Sequence, residues 1–158
     1  MILYMKQKPW SLRTRFTIRD SRDQDLLQIE GEFSIGTRLH VMDMSGTELA
    51  FIRQKLLAFM PRYEIEIPGQ PTALIAQRFT LFNKLFEIEE WGWKASGDFW
   101  AHEFSVSQGD RTLMTVSKAW FTWGDSYQLD IADPQDAIRL VCVLLAIDMA
   151  IASNQRNS

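Results

Sequence analysis

A chain of 158 residues is long enough for one ordinary core and too short for two full domains. With 46% apolar and 23% charged residues it is neither disordered nor collagen-like. The single cysteine, Cys142, excludes an internal disulfide or a cysteine-rich metal site, and the net charge of −3 argues against a general nucleic-acid binder.

The first residues, Met1-Ile2-Leu3-Tyr4-Met5-Lys6, lack the apolar run and small-residue cleavage site of a secretory signal, so a cytoplasmic protein is expected. From there to Asp133 the chain reads as short strands separated by Gly, Pro, Asp, Ser and Asn. Twelve strands are predicted, over residues 3–8, 13–20, 26–30, 38–43, 48–55, 63–67, 72–79, 84–89, 93–96, 100–106, 112–118 and 126–131. Internal repetition supports them. Residues 4–18 match 51–65 without a gap, at an offset of 47, and 49–67 align with 113–131, which sets Tyr127 opposite Tyr63. A repeated strand–turn–strand unit is what a sheet of similar hairpins produces.

The final element is a helix over about 134–153, with Asp133 as N-cap, Pro134 at the first position and Asp136 against the positive helix end. It is apolar nearly all round: Ile138, Val141, Cys142, Leu145 and Met149 lie on one side, Leu140, Leu144, Ile147 and Ile151 on another. Such a helix must be enclosed by protein. Arg139 and Asp148 interrupt its apolar run, and the unbroken part, 140–147, is far shorter than the roughly 18–20 residues of a membrane span, so no transmembrane segment is expected.

Twelve strands do not stay an open twisted sheet, and an all-apolar helix needs a complete apolar surround. One arrangement satisfies both requirements: a mainly β fold, a closed twelve-stranded antiparallel barrel enclosing the hydrophobic C-terminal α-helix. Residues 1–154 form a single domain in this reading, and 155–158 a short polar tail. Closure also gives most of the aromatic residues, 12% of the chain, an inward place.

The repeated Met5-Lys6-Gln7-Lys8 and Ile52-Arg53-Gln54-Lys55 hairpins, the Gly97-Asp98-Phe99 turn before residues 100–104, and the enclosed helix after Asp133-Pro134 together resemble the LURP-one-related family, over essentially the whole chain. The resemblance implies the Tubby C-terminal-like fold shared with tubby proteins and phospholipid scramblases, again a twelve-stranded barrel around a hydrophobic helix. It implies no enzymatic activity. Phosphoinositide binding by tubby and transbilayer lipid movement by scramblases are the roles relatives suggest, and neither transfers to particular residues here. The chain departs from scramblases in lacking a Pro-rich N-terminal region, a Cys-rich palmitoylation cluster and a calcium loop after the barrel.

Catalytic and metal chemistry find little support in the residues. His40 and His102 are the only histidines; His102 and Glu103 fall on opposite faces of a predicted strand and cannot chelate together, and neither histidine has an evident partner, so solvated or core-satisfied rings are expected. Asp20, Asp23, Asp25 and Asp130, Asp133, Asp136 lack the glycine and distal glutamate of a calcium loop, which leaves turn and cap roles. No nucleophile elbow or phosphate loop occurs, and Cys142 sits in an apolar helix where its thiol stays protonated. No cofactor is expected.

Two surface features remain. Lys6 and Lys8 share a strand face, as do Arg53 and Lys55, and with Arg62 they form a candidate site for an anion or lipid headgroup in an otherwise acidic chain. The plainer expectation is a solvated outer face. In an antiparallel barrel the connections after strands one, five and eleven share one end, which gathers Trp10, Phe59, Trp120, Phe121 and Trp123. These apolar tips are expected to fold inward as a lid, with an open rim for membrane or partner as the alternative. The function expected is a non-catalytic LURP-one-related module, cytoplasmic with peripheral membrane contact, that binds anionic phospholipid or a protein partner and no nucleic acid. The alternatives are a scramblase-like lipid-handling protein and a carrier of a small apolar ligand; the helix takes up the interior such a carrier would need.

Overall fold

The computed structural model describes residues 1–6, 13–34, 36–56, 59–119 and 126–156, apart from the side chains of residues 13, 14, 33, 34 and 156. Its strands are β1 (Ile2–Lys6), β2 (Arg13–Asp20), β3 (Asp25–Ser34), β4 (Gly36–Asp43), β5 (Glu48–Gln54), β6 (Arg62–Glu66), β7 (Ala73–Phe79), β8 (Lys84–Ile88), β9 (Trp93–Asp98), β10 (Glu103–Gln108), β11 (Arg111–Ala119) and β12 (Ser126–Ile131), followed by helix α1 (Ala137–Arg156). Each strand pairs antiparallel with its sequence neighbours, and β1 pairs with β12, Leu3 opposite Leu129, which closes the barrel.

Side-chain alternation explains the closure. Along β4, Leu39 and Val41 are buried while Arg38 is exposed; along β5, Ala50 and Ile52 are buried and Arg53 is exposed. The inward rows of the strands form one core with α1, whose residues 140–150 are all buried. Phe16, Tyr63, Phe86, Trp93, Phe99, Phe104 and Tyr127 belong to this core, so interior packing accounts for only half of the aromatic side chains that are described, and Phe59, Phe79, Phe82 and Trp100 are exposed instead.

Two elements depart from the sequence reading. β3 runs on through Gly31, an inward position between Thr14 and Leu39, where the glycine suggested a turn. β9 likewise continues through Gly97 and Asp98, and the turn is at 99–102 rather than at Gly97-Asp98-Phe99. Gly97 has φ of 135°, and a Cβ there would lie 2.7 Å from both Glu103 O and Phe104 Cα, so the residue is what lets β9 and β10 approach closely. Asp133 caps the last element as expected, accepting from the Gln135 N–H at 3.0 Å, but Pro134–Asp136 form a 3-10 turn, and the α-helix runs from Ala137 to Arg156.

Because strands alternate in direction, the connections that follow odd-numbered strands share the upper end of the barrel, and those that follow even-numbered strands the lower end. α1 enters from below, after β12, and ends above. The lower turns are tied by their own acids. Asp20 Oδ1 accepts from the N–H groups of Arg22 and Gln24 at 2.8 and 2.9 Å, and Asp43 Oδ1 from those of Ser45 and Thr47, both at 2.9 Å. The Ser45 hydroxyl and these backbone donors hold the Asp43 carboxyl below its ordinary range. Arg139 pairs with Asp136 and lies over the rings of Trp93 and Trp91, 4.9 and 5.5 Å from their centroids. The cation that interrupts the apolar run thus belongs to a seal at the lower mouth.

Candidate functional site

The upper end is built differently. Asp148, the other interruption of the helix, is buried and meets His102 of the β9–β10 turn, Asp148 Oδ1 lying 3.0 Å from His102 Nε2. The imidazole stacks on Tyr127, centroids 4.0 Å apart at 15°. Burial pushes the Asp148 carboxyl up, against the opposing pull of His102. His102 takes φ of 54°, an unusual conformation for a residue with a side chain, and that places its ring beneath the turn. The histidine is core-satisfied as expected, but it sits in a turn rather than on a strand, and its partner is far away in sequence. His40 also has a partner, Glu48. Cys142 lies deep in the barrel, where burial pushes its thiol up to about 12, so it stays protonated.

The candidate anion residues separate into two groups. Arg53 and Lys55 both reach Glu64 on the outer face, Arg53 also comes within 3.7 Å of Glu66, and the Arg53 hydrogen bond holds the Glu64 carboxyl below its ordinary value. Lys6 at the top of β1 and Arg62 at the top of β6 have no carboxylate partner among the described residues. Lys8 lies outside the described residues. Further bases, Arg38, Arg78, Lys84 and Lys118, stand in the upper parts of their strands. Acids collect at the other end: Asp20, Asp23, Asp25, Asp43, Glu48, Glu66, Glu89, Glu90, Asp110, Asp130, Asp133 and Asp136, against Arg19, Arg22, Lys94, Arg111 and Arg139. The acidic chain therefore has a relatively basic top and a strongly acidic base.

Of the apolar rim residues, Trp10, Trp120, Phe121 and Trp123 lie outside the described residues. Phe59 is fully exposed, so the expected inward fold fails at this position. It has company that the sequence reading passed over. Leu56 on the same connection, Phe79, Leu81 and Phe82 around the β7–β8 connection, and Trp100 in the β9–β10 turn are all exposed, Leu81 and Phe82 at 94% and 90%. These three connections are consecutive along the upper rim. The run Phe79-Thr80-Leu81-Phe82-Asn83 carries the signal, since connection seven shares the end of connections one, five and eleven.

Between the β7–β8 connection, the β9–β10 turn and the last turns of α1 opens a cleft of about 450 Å³. Phe82, Phe86, Phe99, Trp100 and Ile151 supply its apolar walls, and Gln77, Asn83, Lys84, Asp98 and Asn154 its polar ones. The size is in the ordinary range for small-molecule sites, roughly 300–1,000 Å³.

A family model described as LURP-one-related matches residues 1–148. The chain is 37% identical, over 157 residues, to the uncharacterized protein YxjI of Bacillus subtilis (strain 168), a similarity that spans 99% of this chain and 97% of that protein. No solved structure matches it. A closed twelve-stranded barrel threaded by its last helix, matched over this length, belongs to the LURP-one-related family.

Proposed function

We propose that the protein is a non-catalytic module that docks the upper end of its barrel onto an anionic membrane surface. One observation supports this reading above the rest: large apolar side chains stand exposed on three consecutive connections at the end where bases collect, while the acids crowd the opposite end. A monomeric soluble surface seldom leaves such a cluster uncovered. Apolar tips enter the interfacial region of a bilayer, bases around them face the negative surface potential, and the acidic base turns away. Lys6, Arg62 and Lys84 supply the free cations in this reading; Arg53 and Lys55 contribute less because Glu64 already holds them. No helix among the described residues is long and apolar enough to cross a membrane.

Cosedimentation with vesicles, with and without anionic lipid and at two salt concentrations, tests the proposal. Binding should require anionic lipid and weaken with salt. Charge reversal at Lys6, Lys8, Arg53 and Lys55 should lower it further, with Lys6 contributing more than Arg53 or Lys55. Absence of binding under every condition overturns the membrane reading, and salt-insensitive binding to neutral vesicles overturns its electrostatic half.

A further inference from the structure

We infer that the upper cleft is a binding site for a single acyl chain, held at its ester carbonyl by Gln77. The walls are mainly apolar and shaped by aromatic packing: Phe86 and Phe99 meet edge to face, centroids 5.0 Å apart, with Phe82 and Trp100 toward the mouth and Ile151 from the helix. The two charged side chains of the lining are both exposed, at the solvent side of the cleft. Asp98 Oδ1 accepts from the Ala101 N–H at 3.0 Å, and the Lys84 ammonium lies 5.8 Å over the ring of Phe79. The buried part of the cleft therefore offers a charged group no counter-charge, and an apolar chain fits it.

Gln77 makes the site specific. It is an inward residue of β7, only 5% exposed, and its side-chain amide has no hydrogen-bond partner among the described residues. No buried side-chain nitrogen or oxygen among the described residues is left both enclosed and unpaired, so this amide keeps its access through the cleft it lines. A neutral donor at the edge of an apolar slot suits a neutral acceptor on an otherwise apolar ligand, and the carbonyl of an acyl ester has that chemistry, accepting from the Gln77 amide N–H. The chain can come from a lipid of the bilayer or from a free amphiphile. The inference draws on the membrane reading in that the same connections form rim and mouth, but it does not need that reading for its test.

Two probes that differ by one carbonyl decide the matter, monodecanoylglycerol and 1-O-decylglycerol, each below its micelle concentration. The readout is the indole N–H signal of Trp100, identified by its loss in Trp100→Phe. Both probes should shift it saturably, the ester about tenfold more tightly, and Gln77→Leu should abolish the preference while keeping the ether's affinity. Ile151→Trp should block both probes. Asn154→Trp, at a half-exposed position of the last helical turn, gives the same blockade should Ile151→Trp fail to fold. No saturable shift in the parent protein, or an ester preference that survives Gln77→Leu, overturns the site. Vesicles of diacyl and of dialkyl-ether anionic lipids separate the sources: a preference for the diacyl vesicles that Gln77→Leu removes means the chain comes from the bilayer, and equal binding means a free amphiphile. Vesicle binding without any shift removes the cleft and leaves membrane docking; the converse removes docking and leaves the cleft.

Discussion

The two ends of the barrel solve the same problem, how to finish a closed sheet around a helix, with opposite chemistry. Below, short polar turns are tied by Asp20, Asp43 and Asp133, and Arg139 is pinned between Asp136 and the rings of Trp91 and Trp93. The acids that cap these turns take their donors from the turns themselves. Above, Leu56, Phe59, Leu81, Phe82 and Trp100 are left in solvent, a cleft stays open beside the helix, and the contact of His102 with Asp148 is hidden beneath the surface. Local hydrogen bonding close to the chain stabilises a mouth. Exposed apolar surface costs stability unless something covers it. On the proposed reading the lower end is structural and the upper end is the one that binds.

Five variants sharpen or break that contrast, in order of expected effect on the fold. Leu144 lies mid-helix with no exposure and belongs to neither end. Leu144→Asp should cost more than about 4 kcal/mol and unfold the domain, as read by circular dichroism and urea titration, because the carboxylate has no partner in the core. Retained folding would mean that the helix is not enclosed. Next comes the buried pair. Asp148→Ala leaves His102 without its partner and should cost about 2–3 kcal/mol.

Asp148→Asn tests the pH dependence of the same contact. Burial holds the Asp148 carboxyl above its ordinary value of 3.8, so the folded chain binds that proton more tightly than the unfolded chain does. Stability should therefore decline as pH rises from about 4 through the raised value and then level off. The asparagine variant should lose that decline in urea titrations between pH 4 and 8. A slope unchanged by the substitution would show that another group sets it.

At the lower mouth, Arg139→Met keeps the apolar stem and loses the cation, which should cost about 1 kcal/mol and leave vesicle binding alone. At the upper rim the pattern reverses: Leu81→Ser with Phe82→Ser should change stability by no more than about 0.5 kcal/mol while lowering vesicle binding severalfold. Equal behaviour of these last two variants in both assays would dissolve the distinction between the ends.

Much of this was legible in the sequence, and the reasons are local. Alternation along segments such as Gly36–Asp43 requires only neighbouring residues, and the all-round apolar character of the last helix names its environment directly. Asp133 and Pro134 mark its start for the same reason. The pairing of His102 with Asp148 was not legible, because it depends on a turn displaced by a few residues and on a contact between elements far apart in sequence. Gly31 and Gly97 read as breaks because glycine favours turns, whereas here both lie within strands, and at Gly97 the missing side chain lets a neighbour approach. The cleft could not be seen at all, since its walls come from β7, β8, β9 and α1 and meet only when the barrel has closed.

The pairing of Leu3 with Leu129 joins almost the first residue of the chain to almost the last of the strands. During synthesis the edge of β1 waits for nearly the whole chain before its partner exists, and the helix that fills the interior is made later still. Loop closure on that scale makes folding slow, and the open sheet meanwhile presents an unpaired edge and a bare apolar face to other chains. Lys6, at the end of that waiting strand, gives the nascent edge a charge that discourages wrong pairing until β12 arrives.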